Sequence, residues 1–160
     1  MERKENVEQY MDKAEALAKD YFRKGLNCAE CVVQATMDLG LIDLPPETVA
    51  FATGFGGGIG RTRNMCGAVS GAVMAISAVK GRRNPLGKDT LQERVKELYD
   101  EKGIYSYFAA FVNEMKDEYG TLICSELSEP HGEFEGKARK RNCMQLTGYC
   151  TRLAVKYILM

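Results

Sequence analysis

The chain is 160 residues long, and its 22 lysines and arginines are matched by 22 aspartates and glutamates, so its formal net charge is zero. A chain without net charge has no overall field to attract nucleic acid or an anionic membrane, which excludes function classes that depend on one. This length fits one domain with a sizeable core. We therefore expect a single domain over residues 1–160 that has no nucleic-acid partner.

The cysteines are the main candidate chemical groups. Residues 1–9 are charged, without the apolar region of a signal peptide, so we expect a cytoplasmic protein. Six cysteines in a reducing compartment indicate metal binding or redox chemistry more often than structural disulfides. The single histidine, His131, lies between Pro130 and Gly132, and we expect it at the surface.

The first part of the chain is predicted to be helical. The apolar positions between residues 7 and 22 predict an amphipathic helix that ends at Gly25. Asn27 and Glu30 have the spacing of a capping box, which predicts a second helix from Cys28 to about residue 39. A short helix over residues 47–53 then leads into a glycine-rich loop.

The centre of the sequence is this loop and the uncharged run that follows it. Glycines dominate residues 54–60, Arg61 and Arg63 come next, and Asn64 is the predicted start of a buried central helix. The run is too short and too rich in small residues to span a membrane, so we expect no membrane insertion. Within the loop we predict cofactor-binding residues at Gly57, Gly58 and Arg61, where the backbone can approach a pocket.

The second half of the chain is also helical. Thr90 or Asp89 is the predicted start of one helix, and an apolar stripe over residues 104–119 predicts the next. The stripe could serve a homodimer or the core. The polar segment 128–141 is predicted to be a mobile loop whose basic residues are solvated. Because no segment alternates with period two, we expect an all-α, single-domain helical bundle.

Four of the six cysteines fall in the first turn of a predicted helix. Each follows a residue type that caps helices, as in Asn27-Cys28, Asn64 before Cys66, Thr121 before Cys124, and Asn142-Cys143. A helix N-terminus carries partial positive charge and free N–H groups, which favour a thiolate and lower its pKa. If these starts converge, they form an anion-favouring pocket lined with thiols, close to Arg61 and Arg63.

The other two cysteines are expected to be small core residues. Cys150 follows Cys143 by seven positions, about 10 Å along a helix, which is beyond disulfide reach. Cys31 completes a Cys-x-x-Cys pair with Cys28, and such a pair is a moderate redox signal. No strand is predicted before it, so the sequence does not support a thioredoxin fold.

Five short motifs follow one another along the chain: Asn27-Cys28-Ala29-Glu30, residues 53–58, the Cys66–Gly71 segment, Cys124 before Glu126-Leu127, and Asn142-Cys143. In this order they resemble the C-GCAxxG-C-C family, whose members are described as redox-active. The resemblance covers about residues 10–158. It implies a helical domain with four characteristic cysteines, Cys28, Cys66, Cys124 and Cys143, and it indicates the site better than the reaction.

Three functions remain open from the sequence. The first is thiol–disulfide or electron-transfer chemistry with a redox partner or a small-molecule substrate, in which Cys28 attacks and Cys66 resolves. The second is a metal site in which Cys28, Cys66, Cys124 and Cys143 hold an iron–sulfur cluster or zinc. The third is a module that binds a small ligand at the glycine loop, with the cysteines only lining the pocket.

Overall fold

Seven α-helices and two short 3₁₀ helices make up most of residues 2–160, the part of the chain that the computed structural model describes. The α-helices are α1 (Glu2–Arg23), α2 (Cys28–Asp38), α3 (Gly67–Lys80), α4 (Leu91–Tyr99), α5 (Ile104–Tyr119), α6 (Cys124–Ser128) and α7 (Lys137–Leu159). The 3₁₀ helices span Pro46–Phe55 and Glu129–His131. The described residues contain no strand, and the predicted all-α class is confirmed. None of their helices is both long and apolar enough to cross a bilayer.

The capping box predicted at Asn27 is present at the start of α2. The backbone N–H of Glu30 donates to Asn27 Oδ1 at 2.8 Å, and the Asn27 N–H donates to Glu30 Oε1 at 3.0 Å. These two bonds satisfy donors that a helix start otherwise leaves free. They fix the position of Cys28 as the first residue of α2.

The helix α3 is the buried centre of the bundle, as predicted, and it packs between α2 and α7. Its small residues allow a close approach: a Cβ added at Gly71 would lie 2.6 Å from the carbonyl oxygen of Ala29 in α2. The predicted start at Asn64 is wrong, because the helix begins at Gly67 with Cys66 at the N-cap position. Residues 64–66 are instead held by hydrogen bonds to the segment before α6.

The last helix, α7, packs along α1 and starts earlier than predicted. Arg152 on α7 contacts the carboxylates of Glu8, Asp12 and Glu15 on α1. The predicted start at Asn142 is wrong, since the helix begins at Lys137 after Gly136. Residues 137–141 are mostly good helix formers, so the helix extends back through the segment predicted to be a loop.

The apolar stripe of α5 belongs to the core. Phe111 and Met115 are fully buried in the main hydrophobic cluster, with Phe108 and Val112 packed against it. Core packing therefore explains the stripe, and homodimerisation stays a prediction. The neighbouring helix α4 has Thr90 as its N-cap residue, which forms a capping box with Glu93, as the sequence indicates.

Candidate cysteine site

The starts of α2 and α3 meet at the sulfur of Cys28. A Cβ added at Gly67 would lie 2.3 Å from Cys28 Sγ and 2.6 Å from the carbonyl oxygen of Phe55. Real Cβ atoms do not approach other atoms this closely, so only glycine leaves room for the thiol. The sulfur of Cys28 therefore rests against the first residue of α3, directly after Cys66.

A short antiparallel pairing brings Cys66 and Cys124 together. Met65 and Ile123 form an isolated bridge, the Cys66 N–H donates to the Leu122 carbonyl at 2.8 Å, and the Cys124 N–H donates to the Asn64 carbonyl at 2.7 Å. Because side chains alternate across extended backbone, the residues flanking the bridge point to the same side. Cys66 and Cys124 are two such residues, so this pairing places both thiols on one side.

Cys28 and Cys143 line a cavity of about 860 Å³ between α2, the glycine loop and the first turns of α7. Both are partly exposed, whereas Cys66 and Cys124 are 7% and 6% exposed and do not line it. The site therefore has two layers. One pair of thiols faces the cavity, and the other pair lies nearly buried at the starts of α3 and α6.

Three of the four cysteines lie at helix starts, and the fourth does not. Cys28 and Cys124 are the first residues of α2 and α6, and Cys66 is the N-cap residue of α3. Cys143 was expected in a first turn, but it is the seventh residue of α7 because that helix starts at Lys137. Cys28 interacts electrostatically with the other three. The charge of a Cys124 thiolate raises the pKa of Cys28, and the charge of a Cys28 thiolate raises the pKa values of Cys66 and Cys143.

The expectation of lowered thiol pKa values is wrong for Cys28, Cys66 and Cys143. Burial raises the pKa of the Cys28 thiol, although the N–H groups of Gly57 and Ala29 act in the opposite direction. Burial raises the pKa of Cys66 to about 12, helped by the charge of Cys28 and opposed by the N–H groups of Val69 and Ala68. Burial likewise raises the pKa of Cys143 to about 11, against the positive charge of Arg139. Desolvation therefore outweighs the helix-start donors.

The glycine loop wraps in a left-handed conformation. All residues from Gly57 to Arg61 have positive φ, between 57° and 73°, including Ile59, whose branched side chain makes this conformation unfavourable. Hydrogen bonds such as Arg63 N–H to the Gly57 carbonyl at 3.0 Å close the loop. The loop thus holds a conformation that other packing must stabilise, which is typical of functional sites.

The three loop residues predicted to bind a cofactor have different environments. Gly57 lines the cavity and directs its N–H to the sulfur of Cys28, and Arg61 lines the same cavity. Gly58 is buried away from it, and a Cβ there would lie 2.6 Å from the backbone nitrogen of Asn64. Gly58 therefore shapes the turn, while Gly57 and Arg61 are placed to contact a bound molecule.

The sequence interpretation missed Phe134 and Arg139. The Phe134 ring lies 3.7 Å from the guanidinium carbon of Arg139, 4.3 Å from that of Arg63 and 5.9 Å from that of Arg61. Among the described residues, Arg139 Nε is buried and has no hydrogen-bond partner. The sequence feature that could have indicated Arg139 is the basic run at residues 137–141. This run was interpreted as solvated, but it forms part of the cavity wall.

Cys31 and Cys150 are core residues, as expected. Both are fully buried. Cys31 packs with Ala18 and Ala35, and its thiol lies 3.7 Å from the Leu26 carbonyl, on the side of α2 that faces α1. Cys150 Sγ lies 3.7 Å from Met115 Sδ. Neither lines the cavity, so Cys31 does not face it beside Cys28.

The described residues do not confirm the metal site predicted as the second function. No three of their histidine, cysteine, aspartate and glutamate side chains are arranged so that they could hold one metal ion. A tetrathiolate centre for zinc or a cluster needs four sulfurs around a common point. The tetrathiolate site therefore stays a prediction.

Comparison with known proteins gives one result that covers this site. A family model described as "Putative redox-active protein (C_GCAxxG_C_C)" matches residues 26–157, a range that contains Cys28, Cys66, Cys124 and Cys143. No curated protein and no solved structure matches the chain.

Proposed function

This chain belongs to the C-GCAxxG-C-C family of redox-active proteins, and from that premise we propose that it is a thiol–disulfide redox protein. Cys28 is the thiol that reacts with the substrate. One observation carries this proposal: Cys28 lines the cavity, and its sulfur rests against Gly67, the residue directly after Cys66. A mixed disulfide formed at Cys28 therefore has an internal thiol available to resolve it.

The surroundings of Cys28 suit a nucleophile that is activated only in part. The N–H groups of Gly57 and Ala29 and the charge of Arg139 stabilise its thiolate, while burial raises its pKa. The thiolate is the attacking species in disulfide exchange, so its fraction limits the rate. The consequence is a protein that exchanges slowly at neutral pH and faster as the pH rises.

The reaction proceeds in two exchanges. The Cys28 thiolate attacks a substrate disulfide, which forms a bond between Cys28 and one substrate sulfur and releases the other as a thiolate. The Cys66 thiolate then attacks Cys28, which forms the Cys28–Cys66 disulfide and releases the second substrate thiolate. Two electrons pass from the protein to the substrate, and the protons of the two protein thiols pass to the products. A dithiol donor returns the protein to its reduced form, as the reducing cytoplasm provides.

Cys66 is assigned the resolving role because of its position. It directly precedes Gly67, against which the Cys28 sulfur rests, and its own sulfur faces the N–H groups of Val69 and Ala68. These donors stabilise the thiolate that must attack. Cys143 also lies near Cys28 and is the competing candidate for this role.

The proposal is tested by counting the free thiols and by identifying the disulfide-linked peptides. Mild oxidation of the reduced, metal-analysed protein is expected to remove two thiols and to yield a Cys28–Cys66 peptide in digests under non-reducing conditions. Cys28→Ser is expected to abolish this loss, and the matched control Cys31→Ala is expected to retain it. An unchanged thiol count, or the same loss in Cys28→Ser, would contradict the proposal.

A further inference from the structure

The cavity at Cys28 carries a strong excess of positive charge although the whole chain is neutral. Of the side chains that the structure describes, five basic ones and a single acidic one, Glu135, line it. The basic residues are Arg23, Arg61, Arg139, Lys140 and Arg141. Glu135 is paired with Arg61, so it neutralises one of the five and leaves four positive charges unbalanced at the cavity. A cavity lined by one sign of charge concentrates ligands of the opposite sign.

Arg139 is the best placed of these basic residues. Its guanidinium stacks on Phe134 at 3.7 Å and lies within electrostatic reach of both Cys28 and Cys143. It forms no salt bridge with a described side chain, and its Nε is buried without a hydrogen-bond partner. Arg139 lines the cavity and no described side chain neutralises its charge, so its guanidinium is available to a ligand acceptor there.

The aromatic ring of Phe134 keeps the positive charges together. Arg63 stacks on it at 4.3 Å, and Arg61 lies at 5.9 Å on the glycine loop. Three guanidinium groups around one ring repel one another, and Glu135 offsets only part of that repulsion. A bound anion would offset the rest, and the planar fork of an arginine matches a carboxylate in two parallel hydrogen bonds.

From these observations we infer that the cavity selects a small disulfide whose flanking groups are anionic, such as carboxylates, and that Arg139 binds one of those groups. The inference names the substrate class of the site and in that respect rests on the proposed function. The cavity volume of about 860 Å³ is in the range of small-molecule sites. Binding at Arg139 brings the disulfide beside Cys28, which attacks it.

The first experiment compares three disulfides of similar length and different charge. They are 3,3′-dithiodipropionate (anionic), bis(2-hydroxyethyl) disulfide (neutral) and cystamine (cationic). Thiol loss from the reduced protein is timed at low ionic strength. Each rate is then divided by the rate at which the same disulfide reacts with a small neutral thiol. The anionic disulfide is expected to react about tenfold faster than the neutral one, and cystamine more slowly than both, with a preference that shrinks as salt is added. Equal normalised rates would overturn the inference.

Two matched variants assign the preference to Arg139. Arg139→Gln is expected to lower the ratio of anionic to neutral rates severalfold, to the smaller preference that the remaining basic side chains give, and this ratio cancels any effect of Arg139 on the nucleophile itself. Arg83→Gln removes the same charge beyond the far end of α3, which is 14 residues or about 21 Å long, and is expected to keep the ratio. An Arg139→Gln protein with the full preference would contradict the assignment.

The second experiment separates anion binding from thiol chemistry. Suberate has the length and charges of dithiodipropionate but no disulfide, and calorimetry on Cys28→Ser is expected to detect its binding, lost in Arg139→Gln. If suberate binds while the wild type exchanges no disulfide, the anion site stands and the proposed thiol function fails. If disulfides exchange without charge preference and suberate does not bind, the thiol function stands and this inference fails.

Discussion

Gly67 leaves the space that the Cys28 sulfur occupies. It needs no unusual backbone angle, so its role is purely one of space, and a Cβ there would meet both the thiol and the Phe55 carbonyl. The glycine of the Cys-Gly-Ala segment, which stands out in the sequence, therefore has a direct physical reason. The identity of its neighbour could not be predicted, because Cys28 lies far from it along the chain.

Replacing Gly67 with alanine is expected to destabilise the protein by about 1–3 kcal/mol, because the new methyl group displaces the Cys28 sulfur or the backbone of Phe55. The matched control is Gly54→Ala, where an added Cβ meets nothing within 4 Å and the change is expected to stay within about 0.5 kcal/mol. Urea unfolding of both variants measures the difference. Equal stability of the two would show that Gly67 does not make room for the thiol.

The raised pKa values predict how alkylation of Cys28 and Cys143 depends on pH. A pKa above the ordinary value means that the thiolate fraction grows with pH and does not saturate below that pKa, which is about 11 for Cys143. The alkylation rate of Cys143 should therefore rise about tenfold per pH unit between pH 7 and 10, and that of Cys28 should still be rising at pH 9, as measured by peptide mass spectrometry with iodoacetamide. A plateau near neutral pH would show a lowered pKa instead.

The helix starts show which elements a sequence can locate. Asn27 and Thr90 form capping boxes with residues three positions later, and the sequence predicts the starts of both helices. The helices α3 and α7 have no side-chain cap hydrogen bond, and both predicted starts are wrong. The asparagines expected to cap them are ordinary residues there, since contacts from distant segments and the helix propensity of residues 137–141 decide the boundary.

The early start of α7 matters because it places Arg139 and Cys143 one turn apart on the same face, spaced four residues apart. Arg141→Pro would remove a hydrogen bond inside this helix and is expected to cost about 3 kcal/mol or more. Lys137→Pro removes one basic residue at the first helical position, where proline is accepted, so it serves as the matched control.

Thermal or urea unfolding distinguishes these two variants. The arrangement predicts a clear loss of stability for Arg141→Pro alone, together with loss of the cavity's preference for anionic disulfides. Equal tolerance of proline at both positions would mean that the helix begins at Asn142, as the capping pattern of the sequence suggests.

The four characteristic cysteines meet because contacts between distant segments bring them together. The pairing of residues 64–66 with 122–124 and the contact of Cys28 with Gly67 join parts of the chain that are far apart in sequence. The sequence and its family resemblance predict the four cysteines as one group. They do not reveal that two face a cavity and two are buried, nor that a basic run and Phe134 line that cavity, since both follow from tertiary packing.

Trapping the mixed disulfide tests the central claim, that Cys28 reacts from the cavity and Cys66 resolves it. The reduced Cys66→Ser variant is treated with 3,3′-dithiodipropionate, and adducts are mapped by peptide mass spectrometry, with Cys28→Ser/Cys66→Ser as the control. We predict one stable adduct, on Cys28, which the wild type releases as it forms its internal disulfide. An adduct on another cysteine with Cys28 unmodified, or release as fast as in the wild type, would contradict the account.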